Sequence, residues 1–202
     1  ELVLRGLQWA ILLIYLDDVI ITGKTFHEHL NNLGEVLSRF RQFGLKLKPT
    51  KCNLFKEEVL FLGHIVGKNG IRVNPSLVQD VEMWPIPQNL KELQAFLGLT
   101  NYYRRFVKDF ADIARPLHNL TRKGATFIWE EEQASAFIAL KKALTTAPVL
   151  AYPLAKGRMI LDTDASNYSI GAVLSQEQDG LERVISYSSR RLGPVQERYC
   201  VT

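Results

Sequence analysis

The chain opens with two short runs of apolar and β-branched residues, at positions 11–15 and 19–21. Runs of this composition are typical of β-strands. Only Leu16, Asp17 and Asp18 separate them. The pattern therefore predicts a β-hairpin that carries two carboxylates at its tip.

A helix is predicted next, because apolar residues recur every three or four positions from Phe26 to Phe40. Thr25, with Glu28 three residues later, has the spacing of a capping box at the start of this helix. Gly44 supplies a C-terminal stop. The segment therefore has all the signals of an amphipathic helix.

Short apolar segments then predict strands at positions 45–47, 59–66 and 71–73. The sequence Lys-Asn-Gly at positions 68–70 indicates a turn between the last two. The sequence Trp-Pro-Ile-Pro at positions 84–87 interrupts the pattern and marks a first domain boundary.

The middle of the chain is predicted to be helical. Asn89 caps a first helix that has Glu92 at its third position, and apolar spacing indicates further helices at 102–110 and 130–144. After a second boundary at 146–153 the pattern returns to strands. They are expected at residues 159–163, 170–175 and 183–187. Strands that follow one another directly favour an antiparallel sheet, so the predicted fold class is α+β.

The composition is that of a globular protein with ample material for a core. Of 202 residues, 47% are hydrophobic and 23% are charged, which excludes disorder, collagen and coiled coil. The two cysteines, Cys52 and Cys200, have neither metal-type nor disulfide-framework spacing. The longest apolar run, residues 10–16, is far shorter than the ~20 residues that a membrane helix needs.

The placement of charge is more informative than the net charge of +4. A first basic stretch has no acid within it and consists of Arg39, Arg41, Lys46, Lys48, Lys51 and Lys56. A second stretch, residues 85–129, holds seven basic and three acidic residues with aromatic residues interleaved. Both stretches suit an anionic partner such as nucleic acid.

The adjacent carboxylates of Asp17 and Asp18 have two interpretations. Standing alone, such a pair is most simply an exposed turn. Here β-branched runs flank the pair on both sides, and two carboxylates fixed together repel each other unless a cation relieves the repulsion. Hard oxygen ligands suit Mg²⁺, and a pair of such ions is the usual device for displacement at a phosphate.

The residues around this pair resemble a known family. Tyr15-Leu16-Asp17-Asp18 resembles the YxDD box of reverse transcriptases, and its context is similar to the gypsy type of LTR retrotransposon polyprotein. The likeness extends over essentially the whole chain, in the family's order. The matching motifs are Gly44-Leu45-Lys46-Leu47, Lys51-Cys52, Phe61-Leu62-Gly63-His64-Ile65-Val66, LQAFLGLTNYYRRF at residues 93–106, and Leu161-Asp162-Thr163-Asp164-Ala165-Ser166.

This resemblance implies three parts. They are the C-terminal half of a reverse transcriptase palm (1–84), a helical thumb (85–147) and the beginning of an RNase H-like domain (148–202). The parent protein would be an RNA-directed DNA polymerase with RNase H activity.

The resemblance also implies which carboxylates act. Asp17 and Asp18 would bind Mg²⁺, or Mn²⁺ in its place, during nucleotidyl transfer. Asp164, in the box Thr-Asp-Ala-Ser, would be the first metal-binding carboxylate of the RNase H unit. Asp162 matches no residue with a role in the family and is expected to be a solvated residue of the strand.

Contacts to nucleic acid follow from the same resemblance. Leu62, Gly63 and His64 match the primer grip, where His64 has either a packing role or a contact to nucleic acid. The other expected contacts are Lys46, Lys48, Lys51, Tyr102, Arg104 and Arg105. The ring of Tyr102 suits either the core or base stacking, and adjacent arginines on one helix cannot both readily face the same phosphate groove.

The implied partners are an RNA/DNA primer-template, an RNA–DNA hybrid and deoxynucleotide triphosphates, with no membrane. The implied location is a retroelement particle in the cytoplasm, with the nucleus as the alternative. The family's remaining catalytic carboxylates lie outside the matched motifs, so we expect the chain alone to catalyse neither reaction. A non-catalytic nucleic-acid-binding remnant of a decayed or domesticated element, and a purely structural module, are the open alternatives.

Neutralising Lys46, Lys48 and Lys51 together should flatten the salt dependence of binding to an RNA–DNA hybrid. A lysine that contacts a phosphate releases counterions, so log affinity falls as log salt rises. Each lost contact makes this negative slope shallower by about 0.9. Fluorescence anisotropy titrations across a range of salt concentrations measure this slope. Affinity that does not respond to salt in the unmodified chain would contradict a phosphate-binding surface and favour the structural alternative.

Overall fold

A computed structural model describes residues 2–193 and 195–198. Within those residues helices and strands are mixed, and the α+β class is confirmed. The strands are β1 Leu12–Tyr15, β2 Asp18–Ile21, β3 Glu58–Phe61, β4 His64–Gly67, β5 Gly70–Val73, β6 Met159–Ala165, β7 Ser169–Gln178 and β8 Leu181–Arg191. The α-helices are α1 Phe26–Gln42, α2 Pro75–Glu82, α3 Leu90–Tyr102, α4 Phe110–Ile113, α5 Arg115–Leu120 and α6 Glu131–Thr145.

The chain divides into two compact units, Glu1–Phe61 and Leu62–Thr202. This division reflects packing. The assignment of 1–84, 85–147 and 148–202 to three domains is a statement about family organisation and stays a prediction.

In the first unit, β1 and β2 form the predicted antiparallel hairpin. Tyr15 and Asp18 are cross-strand partners, so the turn consists of Leu16 and Asp17 alone, with Leu16 at a φ of 52°. The tip is therefore one residue shorter than the spacing predicts. Leu4, Leu12 and Val36 form a small buried core in this unit.

Helix α1 has both predicted ends. The Thr25 hydroxyl accepts the Glu28 backbone N–H at 3.1 Å. Gly44 has a φ of 67°, and the N–H of Leu45 returns to the Phe40 carbonyl at 2.8 Å, which closes the last turn. Local capping chemistry therefore determines where this helix begins and ends.

Two strand predictions in the following segment need correction. Residues 45–47 form no strand and are exposed, and three alternating residues ahead of Pro49 are too few to bury an apolar face. The strand expected at 59–66 is interrupted by Leu62 and Gly63, whose φ angles are 48° and 71°. Positive φ at two successive residues is typical of a type I′ turn, and leucine gives no sequence signal for it.

The second unit is built around α3 and α6. The rings of Phe96 and Phe137 have centroids 4.6 Å apart, and both side chains are buried. Asn89 caps α3 by accepting the Glu92 N–H at 3.0 Å, as predicted. At the start of α6, Gln133 accepts the backbone N–H of the preceding cap residue at 3.2 Å.

The helix expected at 102–110 is wrong. Helix α3 ends at Tyr102, a 3₁₀ turn follows at Arg104–Phe106, and Asp109 has a φ of 54° before α4 begins. The chain bends because Tyr103, Phe106, Val107 and Phe110 are all buried, which a single straight helix across those residues does not achieve. Helix α2 was not predicted, although Asn74 followed by Pro75 is a helix-start signal.

The antiparallel sheet β6–β7–β8 is confirmed, with strands longer than predicted. The Ser189 hydroxyl on β8 accepts the Ala111 N–H at 2.9 Å, and Arg191 donates to Asn119 at 3.0 Å. These contacts join the sheet to the helices. In the part of the chain that the structure describes, no helix has the length and apolarity to cross a membrane.

The hairpin β4–β5 belongs to this second unit. Ile71 and Leu150 exchange two backbone hydrogen bonds of 2.8 Å each. A Cβ atom on Gly70, which has a φ of 130°, would lie 2.1 Å from the Leu150 carbonyl oxygen. Only glycine therefore permits this approach between two backbones.

Leu140→Ala should lower the free energy of unfolding by about 2 to 5 kcal/mol, because Leu140 is fully buried in α6 and its loss leaves a cavity. Ile138→Ala on the same helix is the matched control, since 63% of Ile138 is exposed. We expect the control to change stability by less than about 0.5 kcal/mol. Chemical denaturation measures both, and equal losses would contradict the position of the core.

Candidate functional site

Asp17 and Asp18 lie where the hairpin β1–β2 reverses direction. Asp17 is in the turn and Asp18 begins β2. Both residues are exposed. Among the residues that the structure describes, no hydrogen bond or ion pair reaches either carboxylate. The pair therefore offers carboxylate oxygens that residues 2–193 and 195–198 leave open to solvent.

This donor set fits a divalent cation. Carboxylate oxygens are hard ligands, and Mg²⁺ is commonly held by one or two carboxylates with waters and substrate phosphates in the remaining positions. Within the described ranges, no three His, Cys, Asp or Glu side chains form a group able to hold a metal ion. Two carboxylates alone are fewer ligands than a complete Mg²⁺ coordination shell needs.

The third predicted carboxylate, Asp164, is exposed on β6. Its Oδ1 accepts the N–H of Ala165 at 2.9 Å, and its cross-strand partner is Gly171. A Cβ atom on Gly171 would lie 2.8 Å from Oδ1 of Asp109 and 3.8 Å from the Asp164 carbonyl oxygen. Asp109 therefore sits against the strand pair that carries Asp164.

A second acid reaches the loop that follows Asp164. Ser166 donates its hydroxyl to Asp112 at 3.3 Å and accepts the N–H of Ser169 at 3.1 Å. Arg115 lies over the ring of Tyr168 at 4.1 Å. The contacts of Ser166 with Asp112 and of Arg115 with Tyr168 were not predicted, because residues more than fifty positions apart give no local signal of proximity.

The predicted primer-grip residues meet the end of α3. Tyr102 donates its hydroxyl to the Leu62 carbonyl at 2.7 Å, and Tyr103 donates to the Gly63 carbonyl at 2.8 Å. The structure therefore brings Tyr102 into contact with the Leu62–Gly63 turn. Tyr103 was not among the predicted contact residues.

His64 lies in an aromatic cluster beside this turn. Its ring centroid is 5.2 Å from that of Tyr103 and 5.6 Å from that of Phe106. Burial lowers the pKa of His64, a hydrogen bond with the Leu62 carbonyl opposes the shift, and the charge of Arg105 lowers the pKa further. Nδ1 carries the proton, since it is 2.7 Å from a carbonyl oxygen, which can only accept.

The two adjacent arginines have different surroundings. The guanidinium of Arg104 donates to the Ser189 carbonyl and lies 5.6 Å from the ring centroid of Phe110. Arg105 is exposed. Arg104 is thus engaged within the fold, and Arg105 is the one whose position suits a contact with an anionic partner.

Three predicted lysine contacts lie on one segment of the first unit. Lys46, Lys48 and Lys51 are all exposed, and the segment ends in a 3₁₀ turn, Pro49–Lys51. The first unit therefore carries both the carboxylate pair and a cationic segment.

Comparison with known proteins identifies two family models. Residues 3–66 match the model of reverse transcriptase (RNA-dependent DNA polymerase), and residues 129–202 match that of an RNase H-like domain found in reverse transcriptase. The carboxylates Asp17 and Asp18 fall in the first match, and Asp164 falls in the second.

Full-length relatives extend the similarity across the chain. It is 40% identical over 198 residues to the retrovirus-related Pol polyprotein from transposon 297 of Drosophila melanogaster, covering 98% of this chain and 18% of the relative. It is 37% identical to the polyprotein from transposon opus of the same species, covering 92% and 20%. It is 32% identical to the Tf2-3 polyprotein of Schizosaccharomyces pombe, covering 93% and 14%. The chain therefore spans a fifth or less of these relatives.

Solved structures of reverse transcriptases are also similar to this chain. The foamy viral protease-reverse transcriptase in complex with double-stranded DNA has a TM-score of 0.85 and 26% identity, over 98% of this chain and 35% of that one. The foamy viral protease-reverse transcriptase in complex with an RNA/DNA hybrid has a TM-score of 0.83 and 26% identity, over 98% and 27%.

The stability of the folded chain should fall as pH drops below about 6.5, the ordinary pKa of histidine. Burial lowers the pKa of His64 and of His118 in the fold, so the unfolded state binds protons first on acidification. His64→Asn and His118→Asn should each reduce this pH dependence, measured by denaturation from about pH 8 to about pH 5. His27→Asn, at an exposed position, is the control. An unchanged slope in both test variants would contradict the burial of these rings.

Proposed function

The chain belongs to the reverse transcriptase and RNase H-like region of LTR retrotransposon Pol polyproteins, and from that premise we propose that it acts within an RNA-directed DNA polymerase that also cleaves RNA. One observation carries the proposal: the hairpin β1–β2 presents two carboxylates that have no partner among the described residues, inside the segment that matches the reverse transcriptase model.

Asp17 and Asp18 would hold a divalent cation, Mg²⁺ or Mn²⁺. When bound, such a cation stabilises negative charge on phosphate oxygens. The short turn supports this role, because it confines the two carboxylates to neighbouring positions at the end of a paired hairpin. Asp164 has the corresponding role in the RNase H-like segment, on a strand that cross-strand pairing keeps in place.

The basic residues and the Leu62–Gly63–His64 turn would bind nucleic acid. Lys46, Lys48 and Lys51 are exposed cations on one segment and would neutralise backbone phosphates, which accounts for affinity without base recognition. The turn would position the primer end, and Tyr102 and Arg105 lie beside it in the same unit. Arg104 contributes through the fold, since its guanidinium is held by the Ser189 carbonyl.

The partners proposed for the parent protein are double-stranded DNA, an RNA/DNA hybrid and deoxynucleotide triphosphates. The first two are supported by the foamy viral protease-reverse transcriptases, which were solved in complex with them. The proposed location is a retroelement particle in the cytoplasm, on the strength of the family alone.

Asp17→Asn and Asp164→Asn in the full polyprotein should separate the two activities. Asp17→Asn should reduce primer extension by more than about a hundredfold while RNA cleavage persists. It removes a direct metal ligand, whereas losing a residue that only hydrogen-bonds a ligand costs about 10- to 100-fold. Asp164→Asn should reduce RNA cleavage to a similar extent while primer extension persists. Primer extension and cleavage of a labelled RNA–DNA hybrid, assayed on the same preparations, measure both.

Asp162→Asn is the matched control. It makes the same chemical change at an exposed position two residues from Asp164 on β6, and should affect neither activity. Full extension by Asp17→Asn would remove this residue from the polymerase site. Hybrid binding without any extension by the unmodified polyprotein would favour the non-catalytic alternative.

A further inference from the structure

Both carbonyls at the centre of the Leu62–Gly63 turn accept hydrogen bonds from tyrosine hydroxyls. The Leu62 carbonyl accepts from Tyr102 at 2.7 Å, and the Gly63 carbonyl accepts from Tyr103 at 2.8 Å. The two donors are consecutive residues, forty positions away in the sequence. One end of helix α3 therefore determines the backbone of this turn.

The turn needs external support because its conformation is unfavourable. Leu62 has a φ of 48°, which lies in a region that residues other than glycine and asparagine rarely adopt. Such a conformation persists only where the surrounding structure holds it in place. The hydroxyls of α3 and the His64 ring, whose Nδ1 is 2.7 Å from the Leu62 carbonyl, provide that support.

Of the two tyrosines, Tyr103 is the buried one. Only 3% of its surface is exposed, against 53% for Tyr102. Burial raises the pKa of Tyr103, so its hydroxyl stays protonated and remains a donor at neutral pH. Tyr103 therefore acts on the turn without being able to touch a bound duplex.

The fit between Tyr103 and the turn is close. A Cβ atom on Gly63, which has a φ of 71°, would lie 2.8 Å from the Tyr103 hydroxyl oxygen. The ring of Tyr103 also lies 5.2 Å from the ring of His64. The hydroxyl and the ring therefore hold two successive residues of the turn at once.

We propose that Tyr103 is a positioning residue of the polymerase, which holds the Leu62–Gly63–His64 turn in the shape that places the primer end. The inference rests on the proposed function, which assigns this turn to the primer. Tyr103 contributes through its hydroxyl, on the Gly63 carbonyl, and touches neither primer nor nucleotide.

Tyr103→Phe in the full polyprotein tests the role, because it removes the hydroxyl and keeps the ring. We expect kcat for primer extension to fall about fivefold, the factor that corresponds to losing one hydrogen bond that positions the primer end in the transition state. The affinity for the primer-template and the rate of RNA cleavage should stay within about twofold of the unmodified protein, since neither depends on the exact placement of the primer end.

Tyr152→Phe is the matched control. Tyr152 donates its hydroxyl to the Gly70 carbonyl at 3.2 Å, at the opposite end of β4 from the Leu62–Gly63 turn. The two variants thus remove the same chemical group from comparable carbonyl contacts. Only Tyr103→Phe should change kcat. The carbonyl ¹³C chemical shift of Gly63 in the unbound protein, which reports the hydrogen bond that this carbonyl accepts, should likewise change in Tyr103→Phe and not in Tyr152→Phe.

The outcomes separate the inference from the proposed function. If Tyr103→Phe changes neither kcat nor the Gly63 carbonyl chemical shift, in a protein that does extend primers, the inference alone is overturned. Parallel losses of kcat and affinity in both variants would also overturn it, since they would indicate a general structural role. An unmodified polyprotein that extends no primer would overturn the proposed function, and the positioning role with it.

Discussion

The hydrophobic core that the helices share is the constraint on which the larger unit depends. The buried face of α3 belongs to this core, where the rings of Phe96 and Phe137 have centroids 4.6 Å apart. The end of α3 in turn places Tyr103 against the Leu62–Gly63 turn. A residue of the hydrophobic core thus holds the backbone of a turn forty positions earlier in the chain.

Local chemistry made part of this fold predictable. Thr25 and Asn89 are caps whose hydrogen bonds act within three residues, and the helices that they begin are those expected. The segment after Tyr102 was not predictable in the same way. Its apolar spacing suits one helix, but its buried residues reach the core only if the chain bends at Asp109, which only the assembled core reveals.

The residues of the candidate sites likewise fall into those that a local motif indicates and those that only tertiary packing brings together. Asp17, Asp18 and Asp164 are candidates that the sequence alone suggests, because a short motif contains each of them, and their roles stay predictions. The hydroxyl of Tyr103 on the turn, and that of Ser166 on Asp112, join residues forty to fifty-four positions apart. Tertiary packing alone creates such contacts, so periodicity and spacing contain no sign of them. Roles that depend on support by other residues are therefore the ones that sequence analysis misses.

The backbone pairing between Ile71 and Leu150 also affects the order of folding. Gly70 allows β5 to approach a residue seventy-nine positions ahead, so this pairing waits until the later segment has been synthesised. Ribosomes add roughly 5 to 20 residues per second, which leaves β5 without its neighbour for about 4 to 16 s. During that interval an unpaired strand edge is open to other chains. The β5 edge of the nascent protein is therefore a site for pairing with other chains until Leu150 has emerged.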